Sequence, residues 1–230
     1  MKYRLPEIDV LKLYSHFDAP MVDLDCGKMC APYNSNNKPF CCDICEAVPA
    51  VYHHEWEYLR RETDLWHVWR GDECIKNPED PAQLQADTPE NMLLLACLGP
   101  HLCQREYRAI SCRQFPFFPY IASDGRFLGL AYYWEFEGTC WVVSNLDQVT
   151  EAYRREFVSL YDELFSCWPD ELINYALLSE QMRSHYTTQK RLVTILHRNG
   201  GSYQLSPNSE RMRLIEIERL PRFGFYKKKE

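Results

Sequence analysis

Nine of the chain's eleven cysteines lie between Cys26 and Cys112, and only Cys140 and Cys167 fall outside that span. Grouped thiols must pair, bind a metal or be kept reduced, so they restrict the fold more than any other feature of the chain. At about 5% of residues they fall short of the roughly 8–10% that marks a small disulfide scaffold. The opening MKYRLPEIDV has basic residues but no apolar run of about 7–15 residues after them, so no secretory signal is expected. Met92 to Leu98, the longest apolar stretch, is far short of the ~18 residues a membrane span needs. A cytoplasmic protein is expected, with no membrane partner. In that reducing setting an odd number of thiols points to metal ligation or redox chemistry before a paired framework.

The thiols fall into two groups. The first is DCGKMC, with Cys26 and Cys30, followed by FCCDIC, with Cys41, Cys42 and Cys45. A four-residue offset puts Cys26 and Cys30 on one face of a helical turn. Between the two motifs, APYNSNNKP is rich in turn formers that can fold the second back toward the first. Cys41 and Cys42 point to opposite faces of an extended chain, so both can ligate only in a tight turn or at two centres. The second group holds Cys97, Cys103 and Cys112. Arg105, Arg108 or Arg113 would offset the charge of gathered thiolates and lower their pKa values. Pro116 and Pro119 in FPFFPY hold that segment extended, with aromatic rings able to shield one side of a site. Cys26, Cys30, Cys41, Cys42, Cys103 and Cys112 form the expected ligand set, with Cys45, Cys97 and Cys140 as possible additions. Cys74 and Cys167 read as small buried packing residues.

The remaining candidates are weaker. His101 precedes Cys103 by two residues, while His53, His54 and Glu55 sit on an amphipathic helix whose Val51, Trp56 and Leu59 pack and whose histidines lie at the edge. HExxH, GxSxG, GxxxxGK[ST] and GxGxxG motifs are absent from the sequence, which leaves protease, hydrolase, P-loop and dinucleotide readings without support. With a net charge of −7, sequence-independent nucleic-acid binding is not expected. The basic end, Arg219, Arg222, Lys227, Lys228 and Lys229, reads as a solvated tail.

Along the chain, Thr88-Pro89-Glu90 predicts a helix through NMLLLACL that ends at Gly99-Pro100 and delivers Cys97 and Cys103. Asp124-Gly125 reads as a turn, and RFLGLAYYWEFEGTCWVVSN, broken by Gly138, as a hairpin that carries Cys140 back toward the cluster. From Thr150, Tyr153, Phe157, Leu160, Leu164 and Trp168 recur at helical spacing up to Pro169, and a second helix follows from Asp170. RLVTILHR and MRLIEIERL, on either side of an NGG turn, could be strands or short helices. The expected architecture is α+β. An irregular cysteine-rich metal-binding domain with a short aromatic hairpin fills residues 1–147, and a helical extension, residues 148–230, packs on it.

At these cysteines the chain resembles the YkgJ-type cysteine-cluster family, described as a zinc- or iron-chelating domain. The family's pattern is a CxxxC, a CC pair and two later cysteines, the last followed by Arg and Phe-Pro. Here Cys26 and Cys30, Cys41 and Cys42, Cys103, and Cys112 in CRQFP would carry it, over roughly residues 20 to 145. An Arg-Pro pair often lies between the last two cysteines of the family, whereas here Arg108 precedes Ala109. The resemblance implies a metal more firmly than a reaction. Structural zinc tends to use compact CxxC pairs, and the chain has one, Cys42 to Cys45. Surplus thiols favour an iron–sulfur cluster held by four of them over zinc. Two other readings stand beside metal binding: a metal-dependent modifying enzyme like the related flagellin lysine methylases, and a thiol redox sensor.

Overall fold

The structure, a computed structural model, describes residues 9–74, 80–216, 219–220 and 222–227; Lys228 and Lys229 of the basic end lie outside the described residues. The chain is mixed α+β with two antiparallel sheets, in two compact units. Residues 9–15 and 25–115 make a thiol unit, and residues 16–24 with 116 onward make a sheet unit. The division after residue 115 differs from the expected one at 147. The aromatic segment after Cys112 therefore belongs with the C-terminal half.

In the thiol unit, helix α1 (Val10–His16, its last residue counted with the other unit) and a one-turn helix α2 (Cys26–Cys30) precede strand β1 (Ala50–Tyr52). Helix α3 (His53–Glu62), strand β2 (Trp66–Val68), helix α4 (Pro81–Asp87), strand β3 (Met92–Cys97) and helix α5 (Ile110–Gln114) follow. The helix expected from Thr88 is instead this strand β3. Met92 N donates to Pro89 O in a tight turn, and β3 then lies between β1 and β2, antiparallel to both. Leu94, Leu95 and Ala96 are all buried, so both faces of the strand need apolar residues and no alternation marks it.

The sheet unit is built on strands β4 (Phe117–Ile121), β5 (Phe127–Tyr132), β6 (Val193–His197), β7 (Ser202–Leu205) and β8 (Met212–Ile215), paired in that order. Asp124-Gly125 does form the turn, with Gly125 at φ +83°, but it joins β5 to the preceding FPFFPYI. Pro119 is tolerated because β4 is an edge strand. Residues 139–150, all described, hold no strand; residues 134–136 and 142–144 are single 3₁₀ turns, so the hairpin expected to return Cys140 is not formed. Helices α6 (Glu151–Cys167) and α7 (Pro169–Thr188) match the expected pair. Thr150 caps α6 by accepting from Tyr153 N at 3.1 Å. All five residues of the stripe are buried, each contributing about 1.5–3 kcal/mol.

The two faces of β4 go to different helices. Phe117 lies against Tyr153 of α6, while Phe118 and Tyr120 join Met182 and Tyr186 of α7 with Val193 and Ile195 of β6. Helices on both faces account for the unbroken apolar runs of β4 and β5. The Phe117, Phe118 and Tyr120 rings of FPFFPY therefore fill this core. The C-terminal third, expected as a helical extension, contributes three of the five strands.

Candidate metal centre

Segment 25–45 is folded by its own short polar side chains. Asp25 caps α2 by accepting from Gly27 N at 3.1 Å, which sets Cys26 and Cys30 on one turn. The buried Asp43 carboxylate accepts from Asn34 Nδ2 at 3.0 Å, Asn36 Nδ2 at 2.6 Å and Cys45 N at 3.2 Å. The Asn-rich loop thus closes on Asp43, as its turn composition suggested. Phe40–Cys42 is a 3₁₀ turn, the tight geometry that the CC pair requires, and Cys41 Sγ lies 3.9 Å from Cys42 Sγ.

Cys42 is the hub of the thiols. Its charge is felt by Cys26, Cys30, Cys97 and Cys112, and Cys103 is felt by both Cys97 and Cys112. Six free cysteines from four stretches of chain therefore share one region: 26–30, 42, 97–103 and 112. Cys97, expected only as a possible addition, belongs to this set by position. Of the three arginines proposed to offset the thiolates, Arg108 lies among them. Its Nε donates to Cys103 Sγ at 3.1 Å, and its charge lowers Cys26 and Cys42. Arg113 instead donates to the carbonyls of Arg108, Glu106 and Tyr14 at 3.0, 2.8 and 3.2 Å, and so holds the loop that presents Arg108.

Competing influences divide the thiol pKa values. The bond with Cys41 is the largest influence on Cys42 and, with Arg108, holds it at about 7 against burial. Burial, then the neighbouring Cys30, pushes Cys26 up to about 11. Cys112 is raised well above the ordinary thiol range by burial and by Cys42, Cys97 and Cys103.

Three other candidate ligands have different surroundings. Cys45 is disulfide-bonded to Cys74, so it has no thiolate to give a metal in this oxidised form, and Cys74 is not the packing residue expected. Cys140 lies in the sheet unit, its N–H donating to Phe136 O at 2.8 Å. Cys41 touches the cluster through Cys42. His101 is exposed, and His53 is exposed with Nε2 3.2 Å from Glu90 O.

Glu55, grouped with those edge histidines in the sequence, is buried at 1% exposure. Its Oε1 accepts from Tyr14 OH and from Ile110 N, both at 2.7 Å. Burial, against these hydrogen bonds, raises its carboxyl to about 7. The contacts tie α1, α3 and the start of α5, two residues before Cys112, into one polar knot. The Arg113 guanidinium lies 4.3 Å from the Tyr14 ring centroid.

Among the described residues, no three His, Cys, Asp or Glu side chains are placed so that they could hold a metal ion together. The chemistry of the donor set nevertheless fits a thiophilic metal: several free thiols, a low-pKa member and a cation to offset charge. Among the described residues, no helix is long and apolar enough to cross a membrane. No family model, curated protein or solved structure matches the chain.

Proposed function

We propose that the chain is a metal-binding protein of the YkgJ-type cysteine-cluster kind, holding an iron–sulfur cluster or zinc through Cys26, Cys30, Cys42, Cys97, Cys103 and Cys112. The observation that carries this reading is the gathering of four free thiols, Cys26, Cys30, Cys97 and Cys112, within electrostatic reach of Cys42, with Cys103 coupled to Cys97 and Cys112 and bonded by Arg108. Bringing thiols together raises their mutual repulsion, and a bound cation is the usual compensation for that cost. Cys42 is the ligand ready at neutral pH, whereas Cys26 and Cys112 would release protons on binding. Arg108 would neutralise part of the net negative charge of a thiolate-ligated centre, and Arg113 and the Glu55–Tyr14 contact would hold its loops. A bound metal would supply cross-linking of these four stretches and, as a cluster, one-electron chemistry.

The test is anaerobic purification followed by iron, sulfide and zinc analysis together with an absorption spectrum. Stoichiometric metal that Cys42→Ser and Cys112→Ser both lower is expected. A stably folded protein free of metal after anaerobic purification would sink the reading.

A further inference from the structure

The Cys45–Cys74 disulfide stands in a chain whose nine other cysteines are free, and its Cys45 is three residues from the hub Cys42. We propose that this disulfide is a redox gate on the thiol cluster: closed, it withholds Cys45, and opened by a low-molecular-weight thiol, it releases Cys45 as a further ligand beside Cys42. The proposal rests on the metal-binding reading above.

Three features make the bond suited to reversible opening. Both cysteines are partly exposed, as the approach of a small thiol to the bond requires. The segments they join are also held together without them. Ile44 and Val48 pack with Trp69, Leu94 and Ala96 in one apolar cluster, so breaking the bond leaves the two stretches in contact. Finally, the Asp43 carboxylate accepts from Cys45 N at 3.2 Å while held by Asn34 and Asn36, which fixes the turn between Cys42 and Cys45. Released Cys45 therefore stays tethered within about 11 Å of Cys42, the most that three residues can span, and so within reach of the thiol region.

The chemistry balances with a thiol as the reductant. One thiolate attacks a sulfur of the Cys45–Cys74 bond, forming a mixed disulfide and expelling the other cysteine as a thiolate, which takes up a proton. A second thiolate attacks the mixed disulfide, leaving both cysteines as thiols and the two small molecules joined as their disulfide. Two electrons pass from the small thiols to the protein. Reoxidation of Cys45 and Cys74 by a small-molecule disulfide reverses each step.

The experiment uses the full chain and Zn²⁺ as the probe. Alkylation under denaturing conditions should count nine free thiols before mild reduction and eleven after it. Zn²⁺ affinity, read by competition with a chromophoric chelator, should be at least about tenfold tighter in the reduced protein, since one added ligand of this kind readily contributes that much. Cys74→Ser should bind as tightly as reduced protein even in oxidising buffer, and Cys45→Ser should bind weakly in both. If Cys74→Ser does not fold, wild type in its two redox states gives the same comparison. Equal Zn²⁺ affinity in both states overturns the gate and leaves the metal reading standing. A count of eleven free thiols without reductant also overturns the gate alone. No Zn²⁺ binding in either state overturns both.

Discussion

Glu55→Gln should make the protein more stable above neutral pH and leave it unchanged in acid. The variant keeps an oxygen to accept from Tyr14 OH and Ile110 N but cannot ionise. Burial raises the native carboxyl to about 7 from an ordinary 4.5, so the folded state holds this proton more tightly than the unfolded chain. The sign follows from linkage. This stability is full below about pH 4.5 and is lost as pH rises through about 7, because the unfolded chain has already given up the proton that the folded chain keeps. The separation of 7 from 4.5, at about 1.36 kcal/mol per pH unit, is worth about 3 kcal/mol. No discount for solvent applies to a side chain in a residue only 1% exposed. Urea unfolding at a series of pH values from about 4.5 to about 8, taken as variant minus wild type, cancels the titration of the thiols and other carboxylates. The difference should climb from near zero to about 3 kcal/mol in favour of the variant, with half the change near pH 6. A difference that is flat across the range would refute the reasoning, since Glu55 would then act only through its hydrogen bonds.

Two further substitutions probe the sheet unit. Thr150→Ala removes the cap on α6 and the Oγ donation to Pro20 O at 2.7 Å, and should lower stability by about 1–2 kcal/mol in the same urea assay. Gly129→Ala places a Cβ 2.2 Å from Leu196 O at φ +144°, where the β5–β6 ladder leaves no room. It should cost well over about 2 kcal/mol and show as a large drop in Tm, or as loss of folded protein.

Legibility in the sequence followed the range of the interactions. Helices α6 and α7 could be read because their apolar stripe and the breaking Pro169 are local signals. Strand β3 could not, because Met92–Cys97 is buried on both faces and such a run lacks the alternation that separates strand from helix. The same ambiguity in 193–215 resolves into β6–β8 only once their neighbours are in place. The Cys26, Cys30 and Cys42 grouping was visible as spacing, and the role of the Asn-rich loop as composition. The bond from Arg108 to Cys103 was beyond the sequence, since it depends on which way the 103–108 loop turns the side chain. The Cys45–Cys74 pair spans 29 residues, and spacing alone does not assign disulfide partners. Glu55 is the largest surprise, because a glutamate is seldom buried, and the Tyr14 that makes it tolerable here is 41 residues away.

The order in which the chain visits its two units has a consequence for anyone who would cut it. Residues 9–15 belong with 25–115, while 16–24 belong with 116 onward, so among the described residues the backbone changes unit three times. Neither unit is a contiguous gene fragment. Excising 25–115 discards Tyr14 and strands the Glu55 carboxyl, and expressing the chain from residue 116 omits the Asp18 and Ala19 amides that Glu156 accepts from at 2.8 and 2.6 Å. During synthesis the early 16–24 segment must wait for α6 to emerge. Separating the halves takes a reordered chain, in which 9–15 is linked directly to 25–115 and 16–24 directly to 116 onward, because circular permutation keeps the alternating order.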